Sequence, residues 1–228
     1  MSPHAPRCHP DACLLARPQA WVAGWAYTLA TDPRVPDVTR SSASEWGLCA
    51  DAWPTNGHWP ALMYVREGAR LVGDYVATEV NVVPGACVPE SIALGAWSID
   101  IHLIRRHNAT LNGQPAALNE GEMGIAFPAG TGRVYELPYG VLLPRRAETS
   151  NLLVPVTPSA THVAFGSIRV EPTFMALGVA SGAAAAIAAQ RGIAVQDVEI
   201  TELQAAIAAQ GQCVHWPSCS LSPCAALY

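Results

Sequence analysis

Residues 149–190 read TSNLLVPVTPSATHVAFGSIRVEPTFMALGVASGAAAAIAAQ, and the second half of that stretch predicts a long helix over 171–190. Pro172 suits the first helical position, where its missing N–H is not needed, and Gly192 suits a left-handed C-terminal cap. Gly178 and Gly182 lie four apart and face the same way. Each costs about 1 kcal/mol relative to Ala inside a helix, so something must pack closely there. Ser181, Ala180 and residues 183–186 keep the surroundings small. The helix start presents free N–H groups and a positive dipole end, with Arg169 just ahead of it. An anionic or electron-rich group is stabilised in such a place. Plain helix-to-sheet packing explains the glycines equally well. Upstream, residues 152–156 form a short apolar run of buried-strand type.

Working outward, the run GAWSIDIHLI at 95–104 alternates. Trp97, Ile99, Ile101 and Leu103 interleave with Ser98, Asp100 and His102, the period of a half-buried strand. Ser98, Asp100 and His102 therefore share one face. Residues 134–137 and 141–143 read as short strands, and 75–79 as another. Leu62, Val65, Ala69 and Val72 recur at helical spacing and predict an amphipathic helix over 61–72, with Arg66, Glu67 and Arg70 on its solvated face. Further helices are expected at 21–30, 41–49 and 201–210. Loops are expected at 51–60 and over the glycine-rich 113–132. This mixture places the chain in the α/β class, as a mixed α+β arrangement.

Half of the 228 residues are hydrophobic and 14% are charged, against about 25% in an average soluble domain. So low a charge points to surface covered by a domain, subunit or cofactor. The net charge of −5 and the lack of a basic block exclude nucleic acid as a partner. All thirteen basic residues are Arg, so neither a lysine nucleophile nor a phosphate-loop lysine exists here. No run approaches the roughly 20 apolar residues of a membrane span, and no signal peptide is visible; a cytoplasmic location is the default. Cys49 and Cys87 read as small core residues. Cys8, Cys13, Cys219 and Cys224 form two spaced pairs that could hold zinc, a weaker reading than ordinary thiols, and no metal site is assigned.

The block NLLVPV-SATH-GSIRVEPTFM-LG and the following GAAAA resemble the C-terminal signature of the FAD-dependent oxidoreductases of the glutathione-reductase-like type. GLCADAW, PTNGHWPALMYVREGARLVGDYV and WSIDIHLIRR resemble further blocks of that family, in the same order. The resemblance runs over roughly residues 20–212. It implies FAD as cofactor and a hydride passed from a small-molecule substrate to the flavin. It implies flavin contacts at Arg169, Val170 and Glu171, with Gly178, Ser181 and Gly182 at the close-packed turn. Asp100 and His102, His162 and Arg145 would border the substrate as catalytic residues. Where the family has Gln and Ala-Gly, this chain has Val179 and Ser181-Gly182.

The family binds the ADP half of FAD through a strand, a Gly-x-Gly-x-x-Gly turn and a helix. This sequence contains no such turn. The expectation is therefore a tail at 1–18, a substrate lobe at 19–148, the C-terminal part of a Rossmann-like FAD domain at 149–212 and a second tail at 213–228. The ADP-binding half would come from a separate chain or be lost by truncation. A non-catalytic remnant or interaction subunit is the competing expectation. Family members are linked to carbohydrate metabolism, and no residue here selects a substrate.

Overall fold

Short antiparallel pairings and three helices organise the larger part of the chain. The computed structural model describes residues 10–60, 62, 64–85, 87–125 and 134–217. Two compact units are present, Met1–Val65 and Arg66–Tyr228.

In the first unit, helix α1 (Pro10–Thr31) packs against α2 (Asp37–Ser44). The helix expected at 21–30 lies within α1, but α1 begins at Pro10, inside the expected tail. Asp32 and Pro33 end it, and the Asp32 carboxylate receives the backbone N–H and guanidinium of Arg34. The second helix falls at 37–44 rather than 41–49. Trp21, Trp25, Tyr27 and Trp46 stand exposed.

In the second unit, β1 (Ser91–Gly95) pairs with β6 (Tyr135–Pro138), β2 (Ile99–Ile101) with β5 (Met123–Ile125), and β3 (Arg105–Leu111) with β4 (Gln114–Glu120). All three pairings are antiparallel. The last two belong to one ribbon. Ile101 faces Met123 and Arg105 faces Glu120, so three residues, 102–104, oppose two, 121–122. One extra residue is a bulge, a device that re-aims side chains. At the tip, Asn112 (φ 51°) and Gly113 (φ 77°) form the left-handed turn that suits the twist of a two-residue hairpin. Much of the segment expected as a glycine-rich loop is thus strand; 126–133 lies outside the described residues.

The core is apolar and shared between segments 66–148 and 149–212: Ile92, Leu137, Leu142, Ile168, Leu177, Leu203 and Ile207 are fully buried together. Helix α3 (His162–Ile168) lies on β2, and α4 (Glu171–Arg191) lies between β1 and α5 (Ile200–Ala209). Helix α4 has Pro172 in its first turn and Gly192 (φ 63°) as its cap, as its sequence requires. Among the described residues it alone is long and apolar enough to cross a membrane by length and composition. Here Thr173, Leu177, Ala180, Ser181, Ala184, Ile187 and Ala188 turn into the core.

Four expected elements are absent, the first being the strand at 75–79, where Ala77 makes one isolated bridge and Glu79–Val82 enters a 3-10 turn. Residues 64–73 form no helix: Leu71 N–H bonds the Thr157 carbonyl (2.9 Å) and Gly73 N–H bonds Ser159 Oγ (3.1 Å). These tertiary bonds replace the helical ladder and override a weak local preference. Residues 152–156 form no strand, because no neighbouring strand takes their backbone groups; Val154 N–H goes to the Leu142 carbonyl instead. The stretch expected as a strand at 141–143 enters a 3-10 turn, Tyr139–Leu142. Only one parallel bridge is found among the described residues, Ala77 to Ala160.

The C-terminal segment is strapped down around Glu136, which is 2% exposed. Its Oε2 accepts from Val88 N–H (2.8 Å) and pairs with His215 Nδ1 (3.1 Å), and its Oε1 accepts from Trp216 N–H (2.9 Å). Gln212 donates to the carbonyls of Ile92 (2.9 Å) and Ala176 (3.1 Å). Cys87 and Cys213 are each disulfide-bonded, and Cys49 is free and exposed. None of these is the small core thiol expected of Cys49 and Cys87. Cys8, Cys219 and Cys224 of the zinc reading lie outside the described residues.

Candidate functional site

The segment from Arg66 to Ala77 runs beside residues 157–161, and this brings Glu67 to α3. Arg70 donates from Nε to the Ala160 carbonyl (3.1 Å) and lies over the Phe165 ring, 5.4 Å from its centre. The Thr161 hydroxyl caps α3 by accepting from Ala164 N–H (3.2 Å). His162 opens this helix and Arg169 closes it. Seven residues apart, they sit on one face two turns distant, and both reach Glu67. His162 Nδ1 pairs closely with Glu67 Oε2, and Arg169 Nε lies 3.9 Å from Glu67 Oε1.

Gly166 sets the other half of the site. A methyl group there would stand 3.0 Å from Ile101 Cγ1 and 3.2 Å from the Asp100 carbonyl oxygen, so only glycine lets α3 approach β2 this closely. The approach carries Arg169 onto Asp100. Its Nη2 donates to the Asp100 carbonyl (3.0 Å) and to Asp100 Oδ2 (3.1 Å). Asp100 Oδ2 also lies 3.3 Å from His102 Nε2. Ile99 and Ile101 turn into the core, which leaves Asp100 on the open face as the alternation predicts. His102 follows directly, at the first residue of the bulge.

A row of polar groups results: His162, Glu67, Arg169, Asp100, His102; only Arg169 and Asp100 are hydrogen-bonded, and Glu67 Oε2 and Arg169 Nε are buried without a hydrogen-bond partner. The Arg169 side chain is 8% exposed and stands between two carboxylates, which compensate its buried charge. The two histidines close the ends, each roughly half exposed. Each imidazole has one carboxylate beside it.

Of the residues singled out from sequence, the fold therefore gathers His102, Asp100, His162 and Arg169. Arg145 stands apart, with its ion-pair partner Glu148 at 3.8 Å. Its neighbour Arg146 clasps Asp197 through two bonds (2.5 and 2.7 Å). Arg169 is committed to Asp100 and Glu67 rather than projecting freely. Glu67 was expected on a solvated helix face; the only hint of its role was the seven-residue spacing of His162 and Arg169.

Helix α4 carries the rest. Val170 is its N-cap, and its carbonyl accepts from Thr173 N–H (3.1 Å) and Phe174 N–H (3.2 Å). Glu171 is exposed in the first turn. Added side-chain carbons at Gly178 and Gly182 would meet no atom within 4 Å. The close packing expected at these glycines is thus not used inside the chain. Met175, Gly182, Ala185, Ala186 and Ala189 continue an open, uncharged face. Ser181 Oγ is buried without a hydrogen-bond partner. That hydroxyl faces the core, not the open face that carries Gly182. A cleft of about 430 Å³ beside Gln204 and His215 borders α5 and includes none of these residues.

This mixed α+β fold carries a row of charged and polar side chains and an open helix face, and comparison with known proteins places it. The family model described as FAD dependent oxidoreductase matches residues 10–207, and the chain belongs to that family. No curated protein and no solved structure matches it.

Proposed function

We propose that these residues supply the substrate side of an FAD-dependent oxidoreductase, with the ADP-binding half of the cofactor site built by sequence outside them. The observation that carries this reading is the polar row from His162 to His102, which brings four of the family-derived site residues together. Bound FAD would accept a hydride from the substrate. Within this chain, Asp100 stands beside His102, Glu67 stands beside His162, and Arg169 holds Asp100 in place. The imidazoles take the proton that accompanies the hydride. Val170, Glu171, Gly178 and Gly182 would lie against the flavin, whereas Ser181 faces the core. The substrate is a small molecule, with carbohydrate-related compounds the first class to screen. Arg145, remote from that row, is left without a catalytic role.

An ordinary FAD site holds the ADP moiety with glycine-turn N–H groups, and no such turn occurs in this sequence. FAD and riboflavin should therefore bind the purified chain with equal and weak affinity. Titration followed by flavin fluorescence measures both. Micromolar or tighter FAD binding, with riboflavin far weaker, would refute the division of the site. Absence of any perturbation of α4 amide resonances by either flavin would refute the flavin site itself. The disulfide-bonded Cys87 and Cys213 favour an oxidising compartment over the cytoplasm expected from sequence. Alkylation in extracts prepared without reductant tests this, with labelling of Cys87 and Cys213 the contrary result.

A further inference from the structure

We propose that the hairpin of α1 and α2 is the surface through which two copies of this chain pair about a two-fold axis. The inference goes beyond the oxidoreductase reading and does not rest on it. It uses residues of the first unit alone.

From Pro18 to Thr31, helix α1 carries no charged residue. Trp21, Trp25 and Tyr27 on it are 70%, 56% and 70% exposed, and Trp46, just past α2, is 82% exposed. A helix that is apolar all round is buried in the assembled protein rather than solvated. Trp25, Tyr27 and Trp46 converge on one cleft of about 390 Å³, with Leu29 and Ala43 in its wall. Trp21 lies four residues before Trp25 and so continues the same patch. An aromatic side chain covers about 150–250 Å², so these four leave roughly 400–700 Å² of apolar surface in water. Val22 and Leu48 are exposed as well and enlarge it. The patch reaches the upper end of the roughly 300–600 Å² that a monomer exposes. It approaches the roughly 800 Å² that each partner gives to a standard interface.

The chemistry of the patch selects a second copy as its occupant. The nearest charges are paired within the hairpin, Arg34 with Asp32 and Arg40 with Asp37. A charged partner therefore finds nothing there to answer it. A helix lying on lipid has a polar face rich in Lys and Arg, and residues 18–31 contain neither. A copy of the same uncharged patch meets it without burying any charge. Gly24 gives the pairing a centre. It costs about 1 kcal/mol relative to Ala within a helix, and an added carbon there would meet no atom within 4 Å. Ala20 and Thr28, four residues to either side, complete a stripe on which a second helix can lie closely. In a two-fold pair every contact is reciprocal. Antiparallel α1 helices crossing at Gly24 bring Trp21 of each copy level with the partner's Tyr27, at the rim of the partner's cleft.

The test is sedimentation of the full-length chain over a micromolar concentration series. Wild type should sediment as a reversible dimer. Trp21→Glu alters an exposed residue, so it should fold, and it should raise the dissociation constant at least about 30-fold, the effect of a hot-spot tryptophan. Gly24→Cys in a Cys49→Ser background should form a disulfide-linked dimer on oxidation by copper phenanthroline, while Cys49→Ser alone should not. A wild-type monomer throughout the series would overturn the proposal. So would a dimer unchanged by Trp21→Glu, or one that does not cross-link through Gly24→Cys. A monomer whose tryptophan emission shifts to the blue with phosphatidylcholine vesicles would assign the patch to lipid and overturn it equally. Where Trp21→Glu fails to fold, the wild-type mass and the Gly24→Cys cross-link decide.

Discussion

Replacement of the buried Glu136 by alanine should loosen the C-terminal strap. The carboxylate accepts backbone N–H groups from Val88 and Trp216 and holds His215, and it is almost entirely buried. Two hydrogen bonds to a charged acceptor contribute about 1.5–3 kcal/mol each, or about 3–6 together. The middle of that range is about 4 kcal/mol. With a urea dependence of about 2 kcal/mol per molar, the unfolding midpoint should fall by about 2 M. Glu136→Gln keeps one acceptor oxygen and should lose about half as much. Urea unfolding followed by tryptophan fluorescence and circular dichroism measures both. A midpoint for Glu136→Ala equal to wild type, with unchanged slope, would show that the carboxylate does not bind the two segments together.

Gly166→Ala should lower the melting temperature although alanine favours helices, because crowding against Ile101 and Asp100 outweighs the propensity gain of about 1 kcal/mol; a higher melting temperature would contradict the close approach of α3 to β2. Gly182→Ala meets open space, so it should raise the melting temperature of the isolated chain by roughly 2–4 °C, and a fall would show that an internal contact fills this face. Burial pushes the Tyr135 hydroxyl up to about 12. Since the folded value lies above the unfolded one of about 10, this contribution is complete below pH about 10 and is lost as pH rises toward 12. Tyr139 shifts the same way by burial. Stability of Tyr135→Phe should decline less steeply over that window, and an unchanged alkaline slope would count against the assignment.

Helices α4 and α5 were legible because their signals are local: Pro172 at the start of α4, Gly192 and Gly211 beyond the two ends, and no internal proline. The alternation at 99–101 was legible for the same reason. Segment 61–72 misled because its apolar spacing is helical while its backbone partners lie some ninety residues later, at 157–160. Residues 152–156 have the composition of a strand but no strand neighbour. The Asn112-Gly113 pair is a strong hairpin signal, masked by the many glycines around it. At the site, the residues with chemical side chains could be named, but their assembly depended on Gly166 and Glu67. Neither shows its role without knowing that α3 packs on β2 and that residues 66–77 run beside 157–161. The disulfide bonds of Cys87 and Cys213 likewise join what sequence spacing leaves unrelated.

The ribbon of β3 and β4 has a mechanical meaning. Its seven pairs extend roughly 24 Å beyond the bulge at about 3.4 Å per residue, and nearly all of its side chains are exposed. Such a ribbon has the shape of a boom, with its base beside His102. A swing of about 10° at the base would carry the tip by about 4 Å while β2 and β5 stay anchored. Its length is free to drift in evolution, provided residues are gained or lost in matched pairs, since an odd change reverses every face. Relatives of this chain should differ in how far the boom reaches and agree on where it is rooted.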